Sequence, residues 1–273
     1  MYPTSTPALS VLFDPAPTRM EAMVYDPVVC LVLQGRKETH IGDKCISFGA
    51  GDSLIVSHSV PVVAAVTEAT RQRPYVALVL SIDLDAVRAL YDEVGTILKP
   101  KPTADTLAAA STDPRLIDAL SRLYYASEDP ADAKALVPLY LREVYFRLLQ
   151  ADHGGMLRQM LWRESNESRV GRVIARLRRD YAKPMSVAEL ASDANMSVSG
   201  FYERFKSLTA RSPLQFQKDL RLTEARRLLT REGQNVSTTA FTVGYESPTQ
   251  FSREYSRKFG VSPRADMSKH LAA

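Results

Sequence analysis

Two clusters of polar side chains in the C-terminal third of the chain have the types and spacing needed to read a nucleic acid. Thr249, Ser252 and Arg253 share one side of a helix once Phe251 and Tyr255 are assigned to a core. Arg253 can donate two parallel hydrogen bonds to O6 and N7 of guanine; its competing role is a pair with phosphate or a nearby Glu. The second cluster is Ser199, Tyr202 and Glu203, beside the core candidates Phe201 and Phe205. Glu203 can accept from N4 of cytosine, and Tyr202 can touch a thymine methyl or a phosphate. The alternative for Glu203 is a solvated carboxylate repelled by phosphate. Arg204, Lys206, Arg257 and Lys258, with Ser197 and Ser247 at the helix starts, suit phosphate contacts, which position a protein without specifying sequence.

The elements that must present these side chains form an internal repeat. One copy runs from Ser186 through Asn195-Met196-Ser197 and Phe201 to Phe205, ending at Ser212-Pro213; the other runs from Val236 through Gly244-Tyr245-Glu246-Ser247 and Phe251 to Tyr255, ending at Ser262-Pro263. Val187 matches Val236 at an offset of 49 and Ser197 matches Ser247 at 50, so the second turn has one extra residue. Each copy reads as a short helix, a tight turn and a second helix capped by Ser197 or Ser247, with Pro248 at a first helical position where its missing N–H costs nothing. That is a helix-turn-helix, expected at 187–208 and 236–259, whose second helix enters the major groove. Between the copies, Leu214 to Arg231 reads as one helix buried through Phe216, Leu220, Ala225, Leu228 and Leu229 and stopped near Gly233. Arg221 and Arg226 are expected to form internal salt bridges on it.

Charge divides the chain in the same place. Residues 1–162 carry 15 Lys and Arg against 19 Asp and Glu, leaving 20 against 12 for residues 163–273. The positive excess therefore lies in the half that holds the repeat, which suits a polyanionic partner there only. With 273 residues, 45% hydrophobic and 24% charged, disordered, collagen-like and disulfide-dense classes are excluded. No stretch approaches the ~18–20 apolar residues of a membrane helix, and Met1 to Pro7 lacks a basic-then-apolar leader. Two cysteines are too few for a disulfide framework, so a reducing cytoplasm is expected.

The N-terminal half changes period. From about Tyr25 to Ile82, short β-rich runs alternate with Gly- and Asp-containing turns, predicting a small antiparallel barrel or sandwich. On its first clear strand Val28, Cys30 and Val32 share one face, and Cys45 shares a face with Ser47 on a later one. Val28, Cys30, Val32 and Cys45 are the candidates to line a pocket for a small, fairly apolar molecule. Cys30 either reacts there as a thiolate or packs as a small hydrophobe. His40, His58, His153 and His270 show no clustered metal-binding spacing, so neither metal nor other cofactor is expected, and no nucleophile elbow, P-loop or dinucleotide fingerprint is present.

Asp83 is expected to cap a helix over Leu84–Val94, residues 96–113 read as a connecting loop, and amphipathic helices follow over 115–127 and 136–149. Their apolar faces either pack on the barrel or pair two protomers into a homodimer, with strand edges as the rival dimer surface. His153-Gly154-Gly155 breaks the pattern, placing a hinge between there and Ser168.

The segment Leu190 to Pro263 resembles the DNA-binding domain of the AraC/XylS family of bacterial transcription regulators. The matching residues are Arg221-Leu222, Ala225 to Leu229, Val243 to Ser247, Phe251-Ser252-Arg253, Phe259-Gly260 and Ser262-Pro263. The N-terminal half resembles the cupin-like domain of one AraC branch at Cys30 to Lys37 and Gly49 to Asp52. The resemblance implies an α+β chain: a cupin-like barrel with a helical extension over 1–162 for effector binding and dimerisation, and an all-α DNA-binding domain over 168–271. It implies that positions matching Thr249 and Arg253 approach bases, and that the partners are double-stranded promoter DNA, RNA polymerase, a small-molecule effector and a second copy of the chain. A non-enzymatic, ligand-responsive regulator of the bacterial cytoplasm and nucleoid is the leading reading. An effector-independent DNA-binding protein whose barrel only dimerises or binds a protein is second, and a cupin-type enzyme fused to a DNA-binding domain is third. The chain departs from the family at Ala210, where Gly is usual after Thr209, and at Ser237-Thr238-Thr239, which are weaker helix formers. If residue 210 is left-handed, its β-carbon costs on the order of 1 kcal/mol.

Overall fold

The computed structural model describes residues 2–95, 105–162 and 165–271, with the side chains of 269–271, His270 among them, outside that description. The chain divides into two compact units, 1–171 and 172–273. The divide falls within a helix, Asn166–Arg179, rather than between 155 and 168.

The first unit is built on antiparallel strands. The expected runs form β4 (Val28–Gln34), β5 (Arg36–Ile41), β6 (Lys44–Gly49), β7 (Asp52–Val56), β8 (Val60–Glu68) and β9 (Tyr75–Ser81). They are joined by β1 (Tyr2–Pro3), β2 (Leu9–Asp14), β3 (Glu21–Tyr25) and β10 (Leu107–Ser111). One sheet has the order β1-β2-β9-β4-β7-β10 and the other β3-β8-β5-β6. Among the described residues no ladder joins the two sheets, so the expected closed barrel is instead a two-sheet arrangement. One of the crossings between the sheets is made at Gly35. The β4–β9 register shifts between Val32 and Gln34, and Gly35 at φ +82° then passes the chain into β5 of the other sheet. A β-carbon at Gly35 would lie 2.5 Å from the Glu68 carbonyl oxygen, so only glycine fits this corner.

The segment 96–113 is not simply a loop. Its Leu107–Ser111 portion pairs with β7 as an edge strand, where ladder bonds override the low strand preference of three alanines. The remainder of that expected loop, 96–104, lies outside the described residues.

Alternation along β4 sends Val29 and Leu31 to one face and Cys30 and Val32 to the other. The Val29–Leu31 face, with Ile55, Leu78 and Leu80, packs against helices to form the main core. Those helices are α1 (Leu84–Val94, capped by Asp83 as expected), α2 (Pro114–Ala126), α3 (Pro130–Ala135) and α4 (Val137–Gln150). Leu116, Leu120 and Leu123 of α2 and Val144 and Leu148 of α4 are all buried in that core. The Leu116–Leu120–Leu123 face of α2 and the Val144–Leu148 face of α4 therefore cover the chain's own sheet, while Ile117, Tyr125 and Leu139 of the same helices remain exposed. Intramolecular burial removes the same apolar area from water without the entropy cost of association.

A 3-10 turn at Asp152–Gly154 leads into α5 (Gly155–Leu161). His153 is a buried core histidine, its Nε2 2.9 Å from Ser53 Oγ. Arg158 is buried too, and donates from Nη1 to the Leu149 and Ala151 carbonyls at the end of α4.

Candidate nucleic-acid interface

The second unit continues the helix Asn166–Arg179 (α6) with α7 (Val187–Asp193), α8 (Val198–Thr209), α9 (Pro213–Arg231), α10 (Val236–Thr242), α11 (Pro248–Phe259) and α12 (Pro263–Leu271). Both helix-turn-helix pairs, α7–α8 and α10–α11, stand where the repeat predicts them. Local chemistry explains each start. Ser186 and Glu189 form a reciprocal capping box on α7, and Ser212 and Gln215 do the same on α9. Ser197 Oγ accepts from the Gly200 N–H at 3.2 Å, and Ser247 Oγ from Gln250 at 3.3 Å. Asn235, which the repeat did not single out, caps α10.

The aromatic pairs decide which side of each second helix faces out. Phe201 and Phe205 of α8 are fully buried, with the Phe205 ring 5.3 Å from Phe216 of α9. Phe251 and Tyr255 of α11 are fully buried against Tyr245 and Phe259. Consequently Ser199, Tyr202, Glu203 and Lys206 are exposed on α8, and Thr249, Arg253 and Arg257 on α11, while Arg204 and Ser252 are half-buried. The spacing 249, 253, 257 places three side chains on one stripe of α11. Gln250, also exposed, extends this surface toward the helix start; the repeat pattern offered no reason to choose it.

Two charged residues take roles other than those expected. Lys258 forms an ion pair with Asp219 of α9, and its side chain is only 20% exposed. It ties α11 to the linker helix and is not a free phosphate contact, because a half-buried carboxylate on a neighbouring helix competes for its ammonium. Among the described residues Arg221 makes no salt bridge. Its guanidinium donates to the carbonyls of Tyr181 (2.8 Å), Ala182 (3.1 Å), Lys183 (3.2 Å) and Gly244 (2.9 Å), and burial lowers its pKa. It pins the segment after α6 to the turn of the second motif. Arg226 does form its expected salt bridge, at 2.9 Å to the buried Asp266 of α12, which also accepts from the Tyr255 hydroxyl at 2.7 Å.

A cavity of about 430 Å³ lies beside the start of α11, lined by Lys218, Arg221, Tyr245, Gln250 and Glu254 among others. Glu254 accepts from Lys218 Nζ (3.1 Å) and the Tyr245 hydroxyl (2.8 Å). Burial works to raise its pKa, but the hydrogen bonds from Tyr245, Lys218 and Gln250 outweigh it, and the carboxyl sits below its ordinary range. Tyr245 is correspondingly raised, first by burial and then by its bond to Glu254.

In the first unit the pocket candidates separate. Cys30 and Val32 are buried, Val28 is half-buried, and Cys45 is exposed on β6. Cys45 therefore lines no interior pocket; strand parity turns it outward with Ser47. Cys30 Sγ lies 4.0 Å from the Tyr75 hydroxyl. Burial raises its thiol pKa, opposed less strongly by Lys37 and by the Tyr75 bond, so the thiolate is disfavoured and Cys30 behaves as a small hydrophobe.

Two capped helix-turn-helix motifs sharing a linker helix, with polar stripes facing solvent, define a DNA-binding module of a transcription regulator. Residues 5–156 match the sequence family described as the AraC-type transcriptional regulator N-terminus, and residues 190–268 match a helix-turn-helix domain. The first match alone spans more than half the chain: this protein belongs to the AraC family of DNA-binding transcriptional regulators, with an N-terminal regulatory domain. It is 31% identical over 101 residues to the HTH-type transcriptional activator RhaS of Escherichia fergusonii, covering 37% of this chain and 36% of that one. It is 26% identical over 193 residues to the HTH-type transcriptional regulator MtrA of Neisseria gonorrhoeae, covering 67% and 62%. The chain thus covers less than two thirds of either relative's length. Among solved structures, ToxT from Vibrio cholerae shares the fold with a TM-score of 0.60 at 10% identity, over 95% of this chain and 98% of that one. ToxT with a bound unsaturated fatty acid gives 0.61 at 9% identity, over 100% and 99%. Among the described residues no helix is long and apolar enough to cross a membrane.

Proposed function

We propose that this chain is a ligand-responsive promoter-binding regulator, and that α8 and α11 read adjacent major-groove segments of one DNA face. The observation that carries this reading is the paired outward stripe: Ser199, Tyr202 and Glu203 on α8, Thr249, Ser252 and Arg253 on α11, each opposite a buried aromatic pair. Lys206 and Arg257 serve as phosphate contacts, with Arg204 and the Ser197 and Ser247 caps beside them. Because the two stripes differ chemically, one chain should protect an asymmetric site of two unlike submotifs about one helical turn apart. Footprinting with the full chain tests this; a single submotif, or two identical ones, defeats it.

The effector is a small, fairly apolar molecule held between the two sheets near Val28, Cys30 and Val32. The fatty-acid complex of ToxT makes apolar acids the first class to screen. A binder specific to the folded state raises the melting temperature of the chain; no shift across such a screen favours the effector-independent reading. The regulator acts in the cytoplasm as a homodimer formed by the first unit through a surface other than the buried α2 and α4 faces, and it engages RNA polymerase at the promoter. A monomer in sedimentation at micromolar concentration, with and without DNA, would falsify the dimer.

A further inference from the structure

We propose that the β5–β6 hairpin of the first unit carries a site for a zinc-class divalent cation, held by Glu38, His40 and Cys45. One ligand atom from each of the three lies within 4.8 Å of the others. The hairpin explains the convergence. Glu38 and His40 are two residues apart on β5, so they share a face. The register places Cys45 directly opposite His40, with Ile41 opposite Lys44 across a two-residue Gly42-Asp43 turn. Gly42 at φ +57° supplies the left-handed residue that such a tight turn requires.

Three further observations point to a ligand. His40 Nε2 is buried with no hydrogen-bond partner, and a buried polar atom left unsatisfied calls for an explanation such as an ion. Cys45 is a free, exposed thiol, so a cation reaches it without opening the fold. The neighbouring lysines are engaged elsewhere, Lys44 with Asp105 at 2.9 Å and Lys37 over the Tyr25 ring, leaving the carboxylate and thiol for a metal.

The donor set selects the metal class. One imidazole nitrogen, one thiolate and one carboxylate oxygen suit a borderline-soft ion, whereas Mg²⁺ and Ca²⁺ take oxygen ligands. Tetrahedral zinc with these bond lengths separates its ligand atoms by roughly 3.3–3.8 Å, so rotamer adjustments of about 1 Å complete the site. On binding, the Cys45 thiol gives its proton to solvent and a metal–sulfur bond forms, with His40 neutral. The thiolate and the Glu38 carboxylate then balance the two positive charges. Three protein ligands leave the fourth position to water or an exchangeable ligand, as in open zinc sites. The inference is independent of the DNA-reading assignment above.

Cobalt(II) titration of the chelator-treated full chain is the test, because cobalt bound to thiolate shows a charge-transfer absorption that zinc lacks. One equivalent of Co²⁺ is expected to develop that band, and Zn²⁺ to displace it. Cys45→Ser should abolish the band, whereas Cys30→Ser should leave it intact. His40→Gln should weaken Zn²⁺ binding by more than about tenfold, since losing even an outer partner of a ligand costs that much. Circular dichroism establishes that each variant is folded. No band in the wild-type chain, or a band that survives Cys45→Ser in a folded protein, overturns the site.

Discussion

The two helix-turn-helix copies share their caps and their buried aromatic pairs, yet they close their turns with different residues. The left-handed position inside the turn is Asn195 (φ +51°) in the first copy and Gly244 (φ +90°) in the second; the one ending the second helix is Ala210 (φ +55°) against Gly260 (φ +71°). Asn tolerates this conformation, Ala does so at a cost, and Gly at none. Gly244 answers to a second demand. A β-carbon there would lie 2.1 Å from the Ala182 carbonyl oxygen, whereas at Gly260 it would meet nothing within 4 Å. One glycine is thus required by close packing and the other only by its dihedral angles. The same contrast extends to the reading faces, where Glu203 stands at the position that Arg253 holds in the second copy.

Gly244→Ala should destabilise the protein by about 3 kcal/mol or more, from the left-handed penalty together with a backbone clash. Urea unfolding measures it. A loss near 1 kcal/mol, the dihedral cost alone, would mean that the Ala182 contact relaxes freely.

Arg253→Ala removes the central guanidinium of the exposed 249–253–257 stripe on α11. It should cost on the order of 1–3 kcal/mol of DNA affinity and relax preference in only one submotif. Lys206→Ala should instead weaken all sequences alike and make the salt dependence shallower by about one charge. Binding titrations on specific and random duplexes at several salt concentrations separate them. Equal loss on both duplexes for Arg253→Ala would make Arg253 a phosphate contact.

Smaller still, Ala210→Gly should stabilise the chain by up to about 1 kcal/mol, and Gly260→Ala should reverse the sign by a similar amount. A thermal melt of both variants shows whether the two helix ends are equivalent.

The smallest effect is one of pH. Glu254 is held below its ordinary pKa in the folded chain, so it contributes stability that is present above about pH 4.3, the unfolded value. That stability disappears as the pH falls through the depressed folded value. Glu254→Gln should therefore flatten the acid limb of the stability curve. An acid limb identical in wild type and Glu254→Gln would remove Glu254 from this role.

Much of the interface was legible because its signals are local. Ser197 and Ser247 cap the helices they precede, and Phe201, Phe205, Phe251 and Tyr255 recur at the spacing that buries one face and exposes the other. The left-handed conformation of Ala210 was raised only by the family resemblance, which usually has Gly after Thr209, and not by the local pattern. What local pattern did not show was the partner of a long charged side chain. Lys258 has the sequence position of a phosphate ligand, but Asp219, 39 residues away in sequence, holds it. Arg221 looked like half of an ion pair, and instead collects four backbone carbonyls from two distant segments.

The same division runs through the first unit. Alternation and turn residues identified β4 to β9 and the Asp83-capped helix, since strand period, turn geometry and capping depend on neighbours a few residues apart. Whether the sheets close, which surface takes the apolar stripes of α2 and α4, and whether Cys45 points inward depend on contacts between residues far apart in sequence. The hairpin that sets Cys45 against His40 lies between these cases: its turn is local, but the convergence with Glu38 emerges only once the register is known. Local sequence signals thus account for β4 to β9, the helices capped by Asp83, Ser197 and Ser247, and the outward sides of α8 and α11. Tertiary structure decided the charge partners, the open sheets and the side-chain clusters, because burial and electrostatic pairing are properties of the packed whole.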